Sequence, residues 1–176
     1  RLAHVMEQDD LVPSILIGAH SSGEFRAMEY ICGVHDRRFE AHEKFFTGEL
    51  YDWSKAEFAL TLSRERCGVF GFSNGAAFAL TIAVRHRDKY GVVIAFSIAG
   101  GADRVSESEY ARRPVAKYYI SSGTRERAFP RTGRALTRIY DRHGVNYTST
   151  ERCAAHDFGF WDSELPEALG WSFPRQ

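Results

Sequence analysis

Short aliphatic runs alternate with stretches of helical periodicity along this chain, and that alternation limits the folds open to it. The runs are Ser14 to Ala19, Cys67 to Phe72, Gly91 to Ile98 (GVVIAFSI), Val115 to Ser121 (VAKYYIS) and Val145 to Thr150. They are aliphatic rather than strictly alternating in polarity, as strands buried on both faces are. Apolar residues recur at helical spacing from about Phe39 to Leu62 (Phe45, Leu50, Trp53, Phe58, Leu62). Ala76 to His86, Thr132 to His143 and Trp161 to Phe173 also read as helices. Gly144 is placed to stop the helix before it. Pro166 is expected near the first turn of the last helix. The pattern predicts an α/β fold, a mostly parallel sheet with helices on both faces. In such sheets reactive groups gather where strands end and loops begin.

The length of 176 residues allows one domain, residues 1–176, with a sizeable core. With 23 basic and 23 acidic residues the net charge is zero, so no basic surplus points to a nucleic acid or an anionic membrane. The longest apolar-leaning run, Gly91 to Ala102, is too short to span a bilayer. Cys32, Cys67 and Cys153 are odd in number and widely spaced, which gives neither a disulfide framework nor a zinc pattern. They are expected to be buried or half-buried free thiols, and no metal or organic cofactor is called for. The chain starts at Arg1, which leaves the compartment open with a lean toward the cytoplasm. Homo-oligomerisation stays open too.

One junction carries chemistry. Gly71-Phe72-Ser73-Asn74-Gly75 is a G-x-S-x-G set between a strand and an alanine-rich helix start, Ala76-Ala77-Phe78-Ala79-Leu80. A nucleophile elbow sits at such a junction, where a sharp turn lifts the serine hydroxyl clear of the sheet. Glycines two before and two after relieve crowding, and small residues let the helix lie close. The helix N-terminus offers free N–H groups, and that of Asn74 can face a developing oxyanion. The competing reading is a Gly-Ser turn in which Ser73 only caps the helix.

A serine nucleophile needs a base and the base an orienting acid, which follow an elbow serine in the order acid, histidine. His86 lies between Arg85 and Arg87 in the helix after the elbow and reads as surface. His143 sits at a helix end, a capping position. His156 follows the last strand, in ERCAAHDFGFW, where a base can reach the serine. For the acid, Asp141 reads as solvated and Asp157 is too close in sequence to His156. Asp103 and Glu126 both lie in loops past strand ends, and charge alone does not separate them.

GFSNGAAFAL, YYISSGTRERAF and AAHDFGFWDSELPEALGWSF together resemble the Putative esterase family of α/β-hydrolases, which includes enterochelin, feruloyl and acetylxylan esterases. Upstream, ILIGAHSSGEFRAMEYICG resembles its strand followed by Arg-x-x-Glu-Tyr, here Arg26, Glu29 and Tyr30. The likeness covers most of residues 11–173. It implies Ser73 as nucleophile, Glu126 rather than Asp103 as acid, and His156 as base. An Arg26–Glu29 ion pair would hold the loop near the site, and the loop from Tyr30 to His42 would wall the substrate. The family pattern also has further N-terminal strands and a His-Asp-Gly-like turn that gives a second oxyanion N–H. RLAHVMEQDDLVPS reads instead as the end of the helix after that turn's strand. By resemblance the third strand lies between Ser14–Ala19 and Cys67–Phe72, so the sheet is expected to lack its N-terminal strands. A preceding segment, another chain or a rearranged sheet is expected to fill that gap.

The resemblance implies a serine carboxylic-ester hydrolase acting on a small-molecule ester, aromatic as in catechol siderophores or feruloyl sugars, or small. Rival readings are a non-catalytic binding protein on the same scaffold and an acyltransferase whose acyl-enzyme meets an alcohol.

Overall fold

The computed structural model describes residues 11–100 and 105–175. Among them, four strands form one parallel sheet in the order β1-β2-β3-β4: β1 is Gly68–Phe72, β2 Val92–Phe96, β3 Lys117–Gly123 and β4 Tyr147–Arg152. The register sets Val69 opposite Val93, Ile94 opposite Tyr119 and Ile120 opposite Ser149. The helices are α1 (Arg26–Tyr30), α2 (Asp36–Lys44), α3 (Tyr51–Glu57), α4 (Asn74–Arg85), α5 (Glu107–Ala111), α6 (Phe129–His143) and α7 (Phe158–Ser172).

Side chains alternate across each strand and so build two cores. Val69, Val93, Ala95, Tyr118 and Ile120 point to one face, where α4 and α6 supply Ala76, Leu80, Ile82, Leu136 and Tyr140. Val92, Ile94, Phe96 and Tyr119 point to the other, against Phe160, Trp161, Leu165, Ala168 and Leu169 of α7. β2 is buried along its whole length, which explains its unbroken apolar sequence. With helices on both faces of a parallel sheet, the fold is of the α/β-hydrolase type expected from the sequence. α6 stops at Gly144, whose φ of 58° is left-handed, also as expected.

Four expectations are corrected. Ser14 to Ala19 is not a strand. The segment pairs with no strand of the described sheet, whose edge at β1 stays open, and Ile15 and Leu16 remain 48% and 45% exposed. The helix expected from Phe39 to Leu62 is broken into α2, a π-helical segment Phe45–Leu50 and α3, and ends at Glu57. Within the π segment, the Thr47 hydroxyl donates to the Glu43 carbonyl, and Gly48 is a weak helix former. Trp53, Phe58 and Leu62 are exposed, so their spacing marks no core face. Pro166 lies in the interior of α7 rather than in its first turn, because the helix begins at Phe158 under the Asp157 cap. Cys32 and Cys67 are half-buried free thiols as expected, whereas Cys153 is exposed just past β4. Among the described residues no helix is long and apolar enough to cross a membrane, and no group of three His, Cys, Asp or Glu side chains is placed to hold a metal ion.

Candidate active site

Ser73, Glu126 and His156 follow the carboxyl ends of β1, β3 and β4, on the same edge of the parallel sheet. Ser73 has φ 56° and ψ −123°, a conformation that L residues rarely adopt and that costs about 1–3 kcal/mol. Backbone bonds hold it there. Its N–H donates to Phe96 O at 3.0 Å, and its carbonyl accepts from Ala76, Ala77 and Ala99 at 3.1, 3.4 and 3.2 Å. The turn is so tight that a Cβ on Gly71 would lie 2.2 Å from the Gly75 carbonyl oxygen. Gly71 is therefore required, as the spacing implied. Gly75 is not: a Cβ there would meet open space, because its backbone already belongs to α4. The Ser73 side chain makes no capping bond to α4, so the capping reading loses its basis. Asn74 opens α4, and its N–H precedes the helix's own ladder.

Glu126 and His156 are brought together. His156 Nδ1 lies 2.6 Å from Glu126 Oε1, and Glu126 Oε2 accepts the Gly123 N–H at 2.8 Å. The Glu126 side chain is fully buried, while that of His156 is 34% exposed. The two loops are tied by backbone bonds from Thr124 to Arg152 O and from Arg125 to Ala154 O, at 2.7 and 3.0 Å. Gly123 permits this approach, since a Cβ there would lie 2.3 Å from Ala154 O. With Nδ1 engaged by a carboxylate, Nε2 is the nitrogen left to exchange a proton.

Among the described residues no hydrogen bond joins Ser73 to His156. Aromatic packing links their surroundings instead. Phe72 stacks on Trp161 at 4.2 Å, and Trp161 meets the His156 ring edge-on at 4.9 Å. Trp161 Nε1 also donates to the buried Ser97 Oγ at 2.8 Å, fixing the indole over the end of β2. Phe129 stacks on His156 at 4.4 Å, and Phe158, 71% exposed, touches both Phe72 and Trp161. Sequence reasoning missed Ser97, Phe129 and Phe158. Ser97 is marked only by a positive φ of 50°, which no residue pattern announces.

The other candidates have different partners. Asp157 caps α7 through the Phe160 N–H, and Asp141 accepts from the Tyr147 hydroxyl. His143 bonds Glu107, in keeping with its place at a helix end, and His86, half-buried rather than surface, bonds Glu43. Asp103 lies outside the described residues. Glu29 does not pair with Arg26: it accepts the N–H and hydroxyl of Ser22, whose loop is within reach while Arg26 points to solvent. The stretch from Tyr30 to His42 is mostly helix rather than loop, with Tyr30 and His42 packed on Phe78 of α4.

A family model described as Putative esterase matches residues 2–172. No curated protein matches the chain. Among solved structures it is similar to an enterochelin esterase from Shigella flexneri, with 20% identity and a TM-score of 0.78 over 97% of this chain and 45% of that one. A ferulic acid esterase from Anaeromyces mucronatus is 19% identical, with a TM-score of 0.65 over 89% of this chain and 59% of that one. An S-formylglutathione hydrolase from Staphylococcus aureus is 16% identical, with a TM-score of 0.65 over 83% of this chain and 68% of that one. The chain thus spans less than half the length of the enterochelin esterase it matches.

Proposed function

The chain belongs to the Putative esterase family, and on that premise we propose that it is a serine carboxylic-ester hydrolase with Ser73 as nucleophile, His156 as base and Glu126 as orienting acid. The observation that carries this reading is the buried Glu126 carboxylate 2.6 Å from His156 Nδ1, at the sheet edge where Ser73 is held at φ 56°. The carboxylate fixes the tautomer that leaves Nε2 free and stabilises the imidazolium formed when Nε2 takes the Ser73 proton. Ser73 Oγ bonds to the ester carbonyl carbon, and the oxyanion faces the Asn74 N–H at the head of α4. His156 then protonates the leaving alcohol. Water, deprotonated by the same imidazole, releases the acid and restores Ser73. No step calls for a metal or organic cofactor.

Phe72, Phe158 and Trp161 give the site an aromatic side, which supports a small-molecule ester with an aromatic or short apolar acid. An alcohol could replace water as acceptor, and product analysis with added alcohol reports that transfer. A fluorophosphonate probe tests the nucleophile. It should label the wild type at the peptide containing Ser73 and leave Ser73→Ala unlabelled. Equal labelling of both proteins would move the nucleophile elsewhere, and no labelling of a folded wild type would favour a non-catalytic scaffold.

A further inference from the structure

We propose that Phe129 is a positioning residue for His156, holding the imidazole by face contact and favouring its cationic form during the reaction. The inference rests on the reading of His156 as base. Phe129 is the first residue of α6, three positions after Glu126. One short connection from β3 therefore supplies two different contacts to one ring. Glu126 fixes Nδ1 at 2.6 Å, which sets a single point of the imidazole. A single hydrogen bond still lets the ring turn about that point. Phe129 limits the turning, with ring centroids 4.4 Å apart and planes 26° from parallel, and Trp161 closes the edge at 4.9 Å and 89°.

Phe129 is itself held. Pro130 follows it and is buried, and the ring is half-buried at the head of a fifteen-residue helix. Trp161 is fixed by its stack on Phe72 and its bond to Ser97, so the imidazole sits between two supports that cannot easily shift. The face of a phenyl ring carries negative charge density and attracts a cation laid over it. An imidazolium forms when His156 takes the Ser73 proton, so the contact strengthens as the barrier is crossed. Neither Phe129→Leu nor Phe129→Tyr adds or removes a charged side chain, so a change in kcat reports the ring contact.

The test is Phe129→Leu, which keeps an apolar side chain and deletes the aromatic face, beside Phe129→Tyr, which restores it. The kcat and KM for p-nitrophenyl acetate are measured for each protein, and NMR reads the His156 ring protons for the upfield ring-current shift that an overlying phenyl face imposes. The leucine variant should lose that shift, and its kcat should fall about threefold to tenfold while KM changes less than twofold. The tyrosine variant should return both readings toward wild type. A leucine variant with wild-type kcat, or a tyrosine variant that fails to restore it, overturns the proposal. Full activity in His156→Ala would instead overturn the base assignment, on which the ring-current shift does not depend.

Discussion

His156 Nδ1 and Glu126 Oε1 lie 2.6 Å apart, with the second oxygen of Glu126 held by the Gly123 N–H. The carboxylate therefore cannot swing away, and the imidazole faces a fixed negative charge. In Glu126→Gln an amide stands where the anion was, so the imidazolium loses its counter-charge and the tautomer is no longer enforced. The expected loss in kcat is on the order of 10²- to 10⁴-fold, with the fold intact by circular dichroism. Activity within threefold of wild type would remove Glu126 from the site.

The elbow glycines should behave differently. Gly71→Ala drives a Cβ to 2.2 Å from the Gly75 carbonyl oxygen, and only backbone movement relieves it. Gly75→Ala meets nothing and replaces a poor helix former in the first turn of α4. Thermal denaturation should show Gly71→Ala destabilised by more than about 2 kcal/mol and Gly75→Ala unchanged or stabilised by up to about 1 kcal/mol. Similar losses in both would mean that the turn is not the tight one described.

Adjacent tyrosines on β3 offer a second contrast. The Tyr119 hydroxyl donates to Glu164 at 2.8 Å, whereas the buried Tyr118 hydroxyl has no hydrogen-bond partner among the described residues. Removing a satisfied donor from a buried carboxylate costs about 1–3 kcal/mol, while removing an unsatisfied hydroxyl is near neutral or stabilising. Urea unfolding should therefore find Tyr119→Phe destabilised and Tyr118→Phe within about 0.5 kcal/mol of wild type or above it. The reverse order would contradict the hydrogen bonding assigned to these two hydroxyls.

Glu164 should make stability depend on pH. Burial pushes its carboxyl up, but hydrogen bonds from Arg152, Thr150, Tyr119 and Ser121 outweigh burial and hold it below the ordinary 4.5. A carboxyl whose pKa is lower in the folded state contributes stability that is full above the unfolded value and is lost as pH falls through the folded one. At pH 7, Glu164→Gln should be less stable by about 1–3 kcal/mol. That difference should shrink as pH falls below about 4.5. Calorimetry across pH 3–7 checks this, and a difference that stays constant would show that the carboxylate's charge is not what matters.

Much of the fold was legible because strand burial writes itself into sequence. β2 is apolar throughout because both its faces are covered, and Gly71 before Ser73 marks a tight turn between strand and helix. Glu126 was separable from Asp103 only through resemblance, since a loop carboxylate carries no sign of which histidine it will meet. The run from Ser14 to Ala19 misled because a strand needs a neighbour, and composition does not say whether one is present. The helix from Phe39 to Leu62 misled because its apolar spacing is real but its outer aromatics face solvent. Phe129 and Phe158 escaped notice because lone aromatics in loops and helix starts follow no period. Only the folded chain sets them beside His156 and Phe72.

The most direct test of the central claim is hydrolysis of p-nitrophenyl acetate and butyrate by the wild type, Ser73→Ala and His156→Ala. The account predicts turnover by the wild type and a loss of several orders of magnitude in each variant, with all three folded by circular dichroism. Turnover that survives in Ser73→Ala, or a folded wild type as inert as its variants, would contradict it.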